Sequence, residues 1–266
     1  MAHTDSQILT LRRILLVIAT GVGAGFLSGL FGVGGGLVIV PALMALLGMD
    51  QRRASATSLA AIIVTAAVGS GTYALHGEVS WAGGALLVVG ALAGSQIGVW
   101  LLRRLPAPSL PWILIGFTLF VIVSQYLQVP TREGVVSLTP DSCALLILVG
   151  VCAGILSGLV GVGGGSVIVP GMELAVGAGD LIARGTSLLV MIPTGIAGTV
   201  TNLRHRMVDL RVGLIVGASA AATAPAGRLV ATLVSPSVGA ILFNIFLVSI
   251  IASTILKMRK KARAQG

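Results

Sequence analysis

The stretch AGFLSGLFGVGGGLVIVP at residues 24–41 returns as AGILSGLVGVGGGSVIVP at residues 153–170, matching at fifteen of eighteen positions. The shift of 129 residues holds without a gap well beyond this string. Ala54 falls on Ala183, Thr57–Ser58 on Thr186–Ser187, Gly69 on Gly198, His76 on His205, Gly98 on Gly227 and Phe117 on Phe246. Matches carried this far mark a duplication rather than low complexity. Whatever fold the chain adopts uses one unit twice, with a glycine cluster in each copy.

Each copy is too apolar for a soluble domain. Of the 266 residues, 56% are hydrophobic and 9% charged, against about 25% charged in ordinary soluble proteins. Five apolar segments stand out in each half: 14–30, 33–48, 55–75, 81–102 and 110–127, then 142–159, 162–178, 185–202, 211–233 and 236–256. Crossing a bilayer takes about 20 helical residues. The last three segments of each half meet that length, and the first two, divided by the glycine cluster, fall short. The expected fold is an all-α polytopic membrane protein of two repeats of about five segments. The first two of each repeat are short crossings or a re-entrant pair around a Gly-rich break. The expected divisions are an N-terminus at 1–13, repeats at 14–127 and 142–256, a linker at 128–141 and a basic tail at 257–266. The stretch RRILLVIATGVGAGFLSGL resembles a signal peptide, but cleavage there would cut into the repeat, so it reads as the first membrane segment.

The net charge is +9, and a pI near 11.1 raises the question of nucleic acid. The basic residues nevertheless sit in short clusters between apolar runs, at Arg12–Arg13, Arg52–Arg53, Arg103–Arg104, Arg204–Arg211 and the tail. That is the pattern of charge on cytoplasmic loops, so no nucleic-acid partner is expected. With the N-terminus inside and an odd net number of crossings per half, all these clusters fall inside. The segment 76–80, the linker with Glu133 and Asp141, and the 177–184 turn fall outside, leaving Arg132 and Arg184 as exceptions. An odd count inserts the two halves upside-down relative to each other, a recurrent transporter architecture. Both termini are expected in the cytoplasm of a bacterial cell, whose inner membrane the chain would span repeatedly.

Runs of glycine are poor helix formers, at about 1 kcal/mol each relative to alanine. The chain is therefore expected to break at Gly32–Gly36 and Gly161–Gly165, with Pro41 and Pro170 disturbing the helix that follows. Inside a membrane, non-helical backbone survives only where protein covers it or where it lines a wet cavity. A break also frees the amides of the next helix, whose N-terminus favours an anion. Gly34, Gly35, Gly36, Gly163, Gly164 and Gly165 are the candidate backbone donors, joined by Ser166. Close helix packing is the alternative use of such glycines. Neither cluster satisfies G-x-G-x-x-G, because Leu37 and Ser166 occupy the third position, and no Lys-Ser/Thr follows.

Glu173 and Arg228 are charges inside apolar segments, and ionisable groups at membrane depth point to function. Their counterparts in the first half are Met44 and Val99. Arg228 is a candidate oxyanion ligand and Glu173 a candidate charge partner or proton carrier, both set toward the outer side and within reach of each other or of a shared cavity. Snorkelling to the interface is the alternative for Arg228. Thr57, Ser58, Thr186, Ser187, Asn202 and Gln96 are candidate polar lining, with helix capping the plainer role for the Thr-Ser pairs. Cys143 and Cys152 lie nine residues apart in one segment, on opposite helix faces at about 100° per residue, so no disulfide is expected between them. No metal-ligand spacing, nucleophile–base pair or cofactor motif is visible, so neither an enzyme nor a cofactor is expected.

Two GxxGVGGGxxxVP elements in a chain of this length resemble the sulfite exporter family TauE/SafE, over about residues 14–256. The resemblance implies transport of sulfur-containing anions, such as sulfite, sulfoacetate or related organosulfonates, mostly outward. It rests on Gly32, Gly34, Gly35, Gly36, Gly161, Gly163, Gly164 and Gly165 with Pro41 and Pro170. The reading is a secondary carrier working by alternating access. A negative interior favours anion exit by about 2.3 kcal/mol per charge per 100 mV, whereas uptake needs proton or Na⁺ coupling. The competing readings are a permease for another small anion, a proton-coupled uptake carrier, and a non-transporting membrane scaffold.

Overall fold

The computed structural model describes residues 11–106, 109–126, 134 and 138–263. The first ten residues, most of the linker with Arg132 and Glu133, and residues 264–266 lie outside the described residues. Ten helices follow in order: α1 (Leu11–Phe31), α2 (Gly36–Leu46), α3 (Gln51–Ala74), α4 (Trp81–Arg104), α5 (Leu110–Tyr126), α6 (Pro140–Val160), α7 (Gly165–Val176), α8 (Asp180–Arg204), α9 (Leu210–Leu233) and α10 (Pro236–Arg263). Among the described residues there is no strand. Seven helices are long and apolar enough to cross a membrane: α1, α3, α4, α6, α8, α9 and α10.

Side-chain caps fix several helix starts. Asp50, Ser80, Thr139 and Asp209 each accept from the amide three residues on. The cap at Asp50 starts α3 four residues ahead of the apolar run, because Gln51–Arg53 are good helix formers that hydropathy overlooks. For the same reason α8 begins at Asp180 and α10 runs on to Arg263 through its basic tail. Three expected lengths are corrected. Of the two segments at each glycine break only the second is short, since α1 and α6 reach 21 residues. The fifth segment of the first half, α5, reaches only 17.

Small residues set how the helices cross. Gly25 and Gly29 of α1 abut the backbone of Ala220 and Ala224 of α9. Gly90, Gly94 and Gly98 of α4 abut Ile147, Val151 and Ile155 of α6 in the same rising order. Both pairs are therefore parallel, with backbones brought close as small residues allow in membranes. Gly213 and Gly217 of α9 meet Thr57 and Ala61 of α3, and Gly84 of α4 meets Thr186 and Leu189 of α8. Two three-helix bundles result, α1/α3/α9 and α4/α6/α8, each drawing helices from both halves.

The bundles run in opposite directions. Gly69 of α3 meets Leu188 near the start of α8, while Gly195 further along α8 meets Leu59 and Ile63 near the start of α3. Thr57 Oγ1 accepts from the Asp209 amide at 3.0 Å, and its counterpart Thr186 Oγ1 accepts from the Ser80 amide at 2.9 Å. Corresponding helices of the two halves, α1 and α6, α3 and α8, α4 and α9, therefore point opposite ways.

The short helices turn back beside their predecessors. Gly35 lies against Ala24 of α1, and Val17 shares a cluster with Ile39, Val40 and Leu43 of α2. Gly164 lies against Ala153 and Gly171 against Val149, so α7 retraces α6 in the same way. At 1.5 Å per residue α1 spans about 31 Å and α2 about 16 Å. Each hairpin thus crosses once, unwinds, and returns as a half-length helix.

One end of the molecule is rich in arginine. Arg52 Nη2 donates to the Leu105 carbonyl at 2.6 Å, Arg53 pairs with Asp209 at 3.5 Å, and Arg103 contacts His205. The opposite end holds Glu78 with Arg228, and Asp180 with Arg184.

Candidate anion site at the crossing of two chain breaks

Both breaks adopt one conformation. Gly32, Gly34 and Gly35 have φ of 70°, 73° and 78°, and Gly161, Gly163 and Gly164 have 75°, 89° and 78°. Side chains rarely tolerate that region, which explains three glycines in each copy. The breaks cross each other: a Cβ on Gly36 would strike the Gly161 carbonyl and Val162, and one on Gly165 would strike the Gly32 carbonyl and Val33. Ile62 of α3 and its counterpart Met191 of α8 pack against Gly34 and Gly163. Residues 30–37 and 157–168 are all buried.

Backbone hydrogen bonding around the breaks is lopsided. From Val33 to Gly36, and from Val162 to Gly165, no amide has an acceptor among the described residues; α2 and α7 begin with bonds to the Gly35 and Gly164 carbonyls. The carbonyls are well served. Ser187 Oγ donates to Gly32 O and Ser58 Oγ to Gly161 O, while Arg184 Nη1 donates to Leu30 O at 2.7 Å and Ser55 Oγ to Val160 O at 2.7 Å. Successive backbone amides left free are the elements from which an anion-binding nest is made. Ser166 adds a hydroxyl, 1% exposed and without a partner, directly after the second break.

The Thr-Ser pairs do not cap their own helices, as one reading of the sequence holds; Asp50 and Gly179 occupy those N-caps. The threonines instead anchor the starts of α9 and α4, and the serines tie α3 and α8 to the breaks of the opposite half. Gln96 is exposed on α4 and accepts from Thr201 at 3.0 Å, away from the breaks. Asn202 is fully buried with both amide atoms unpartnered. It occupies the place in α8 that Tyr73 holds in α3, where the larger side chain donates to Gly29 O at 2.7 Å. Pro41 and Pro170 lie inside α2 and α7. Cys143 and Cys152 are free.

Arg228 and Glu173 do not pair. The Arg228 guanidinium is held by Glu78, Nε and Nη2 each at 2.8 Å from a carboxylate oxygen, and lies over the Tyr73 ring. Glu173 of α7 sits within electrostatic reach of Arg184 and Asp180, which pair with each other at 3.2 Å. Hydropathy assigned Asp180, Arg184 and Glu78 to external loops and so missed them. An i, i+4 acid–base pair at 180 and 184 is the signal that α8 starts earlier. Ser55 carries no signal, since buried serines also bond their own helix.

Residues 3–124 and 146–266 match the family described as Sulfite exporter TauE/SafE. A probable membrane transporter protein of Haemophilus influenzae is 31% identical over 193 residues, 70% of this chain and 72% of its own length. A second, of Xylella fastidiosa, is 27% identical over 236 residues, covering 86% and 89% of the two chains. YunE of Bacillus subtilis, also a probable membrane transporter protein, is 28% identical over 213 residues, or 71% and 78%. With two matching segments that together take in both glycine breaks, this multi-pass membrane protein belongs to the sulfite exporter TauE/SafE family of transporters.

Proposed function

We propose that the crossed breaks bind a small sulfur-containing anion, such as sulfite, sulfoacetate or a related organosulfonate. The protein carries it outward across the cytoplasmic membrane of a bacterial cell. The observation that supports this reading is the pair of nests, Val33–Gly36 and Val162–Gly165, whose amides have no acceptor among the described residues at the buried centre. An oxyanion supplies what they lack, and buried donors left unpaired cost about 1–3 kcal/mol each. Ser166 is the polar side chain closest in sequence to that centre.

Alternating access follows from the two antiparallel bundles. At the Glu78 end α8 is tied to α1 through Arg184–Leu30 and Ser187–Gly32; at the arginine end α3 is tied to α6 through Ser55–Val160 and Ser58–Gly161. Rocking one bundle against the other breaks one set of ties while keeping the other. The arginine end faces the cytoplasm in this reading, as short basic loops do.

The test is ligand-induced thermal stabilisation of the purified protein with sulfite, sulfoacetate, sulfate and phosphate, followed by flux in proteoliposomes. Sulfite or sulfoacetate raises Tm and moves across the bilayer, and Gly164→Ala abolishes both effects. Stabilisation and flux with phosphate alone would assign a different anion. A protein indifferent to all four would be no carrier of small oxyanions.

A further inference from the structure

We infer that Ser28 of α1 and Ser157 of α6 each place a hydroxyl on the anion at the crossed breaks. This rests on the carrier reading above and adds one side-chain donor from each half. The two residues are equivalent under the 129-residue shift, within the shared string LSGL. Both are buried, at 0% and 2% exposure, and neither hydroxyl has a hydrogen-bond partner among the described residues.

Buried hydroxyls inside a helix ordinarily bond a carbonyl three or four residues back. Thr65, Ser95, Thr118 and Thr194 all do so. Ser28 and Ser157 do not. The carbonyls four residues before them instead abut the breaks: a Cβ on Gly35 would lie 2.9 Å from Ala24 O, and one on Gly164 2.8 Å from Ala153 O. A hydroxyl without a partner at such depth is costly unless a ligand supplies one.

Helix geometry aims both side chains at the breaks. At about 100° per residue, Ser28 stands within about 40° of Ala24 and of Val17. Ala24 lies against Gly35, and Val17 packs with Ile39, Val40 and Leu43 of α2. The Ser28 carbonyl accepts from the Gly32 amide at 2.8 Å, which puts the side chain one turn before the first break. In α6, Ser157 follows Ala153 by one turn, Ala153 lies against Gly164, and the Ser157 carbonyl accepts from the Gly161 amide at 2.8 Å. Contact with α9 uses another face of α1, that of Gly21, Gly25 and Gly29. Each serine therefore faces the inside of its own hairpin, toward the free amides of Val33–Gly36 or Val162–Gly165.

The two buried guanidiniums are engaged elsewhere, Arg228 with Glu78 and Arg184 with Asp180 and Leu30 O. Neutral donors thus carry the site, and hydroxyl donors bond a charged oxygen more strongly than a neutral one. Coming from opposite halves, the two serines hold the anion from both breaks at once.

The test uses the full-length chain in detergent with Ser28→Ala, Ser157→Ala and the double variant. Thermal midpoints are followed while sulfite, sulfoacetate, sulfate and phosphate are each titrated in. Without anion, each variant should melt within error of the parent or above it, because the lost hydroxyl had no protein partner. The half-saturating concentration of the stabilising anion should rise roughly 10- to 100-fold in each single variant, and further in the double. Saturation unchanged in both single variants overturns the proposal. So does an anion-free midpoint below the parent's, which assigns the hydroxyls to the packing of the empty protein. Should an alanine variant fail to fold, Ser28→Cys and Ser157→Cys, close in size but poor donors, carry the same reading. A parent stabilised by none of the four anions sinks the carrier reading and this inference with it. A parent that saturates, beside variants that saturate alike, sinks this inference alone.

Discussion

Arg228 and Glu78 meet as a two-pronged ion pair, Nε to Oε2 and Nη2 to Oε1, each at 2.8 Å. The pair joins α9 to the loop after α3, inside one bundle, with the arginine side chain 9% exposed and the glutamate 18%. Removing one member strands a charge that is largely out of water. Arg228→Ala should therefore destabilise the protein by on the order of 2–3 kcal/mol, read as a fall in thermal midpoint in detergent. The double variant R228L/E78L should cost less than R228A alone. A double variant that costs as much as the sum of the singles would mean that the pair is not coupled.

The glycines of the breaks differ from those of the helices in what a methyl group would do. Gly35→Ala and Gly164→Ala force alanine into φ of +78°, at about 1–2 kcal/mol each, and should lower stability in parallel because the two sites are equivalent. Gly36→Ala should be worse, since its Cβ has the Gly161 backbone in its way. Gly23→Ala in α1, with nothing within 4 Å of the added carbon, should leave stability nearly unchanged. Thermal unfolding of the four variants checks the order. Equal tolerance at Gly23 and Gly36 would contradict the crossing of the breaks.

How much of this was legible in the sequence varies with the physics of each part. Hydropathy and a gapless internal repeat carried the segment count, because apolar length and duplication are properties of the string itself. The breaks were legible because glycine clusters defeat helices wherever they stand. Full-length α1 and α6 were not, since most of the added residues, Leu11–Arg13 and Pro140–Asp141, precede the apolar runs and include charges and a proline that hydropathy leaves out. The partners of Arg228 and Glu173 were also hidden. Glu78 and Asp180 lie next to helix ends where charge is unremarkable, and only folding brings α3, α7, α8 and α9 to one end. The face that Gln96 takes was not legible, because one polar residue in a crossing carries no sign of it.

Ser187 and Ser58 each donate to a buried break carbonyl from the opposite half. Losing the donor leaves that carbonyl short of a partner, at about 1–3 kcal/mol. The two losses should act at opposite ends of the molecule. Ser187→Ala should raise the reactivity of a cysteine at Leu30 toward reagent from the Glu78 end, and Ser58→Ala should raise that of a cysteine at Leu159 from the arginine end. Labelling both positions in both variants gives a two-by-two comparison. If either serine variant loosens both ends alike, the ties are not separate gates.

The opposite pointing of corresponding helices can be tested in the membrane through His76 and His205, which follow α3 and α8 at equivalent places and are exposed at opposite ends. A cysteine at each, in protein carrying C143S and C152S, reports sidedness through an impermeant maleimide. His76→Cys should label in intact cells, and His205→Cys only after the cells are opened, because the arginines beside His205 hold that end inside. The reverse pattern would keep the inversion and turn the protein over, placing the Asp180–Arg184 pair on the cytoplasmic face. Labelling of both from one side would contradict the antiparallel arrangement of α3 and α8, and with it the meeting of two equivalent breaks at the centre.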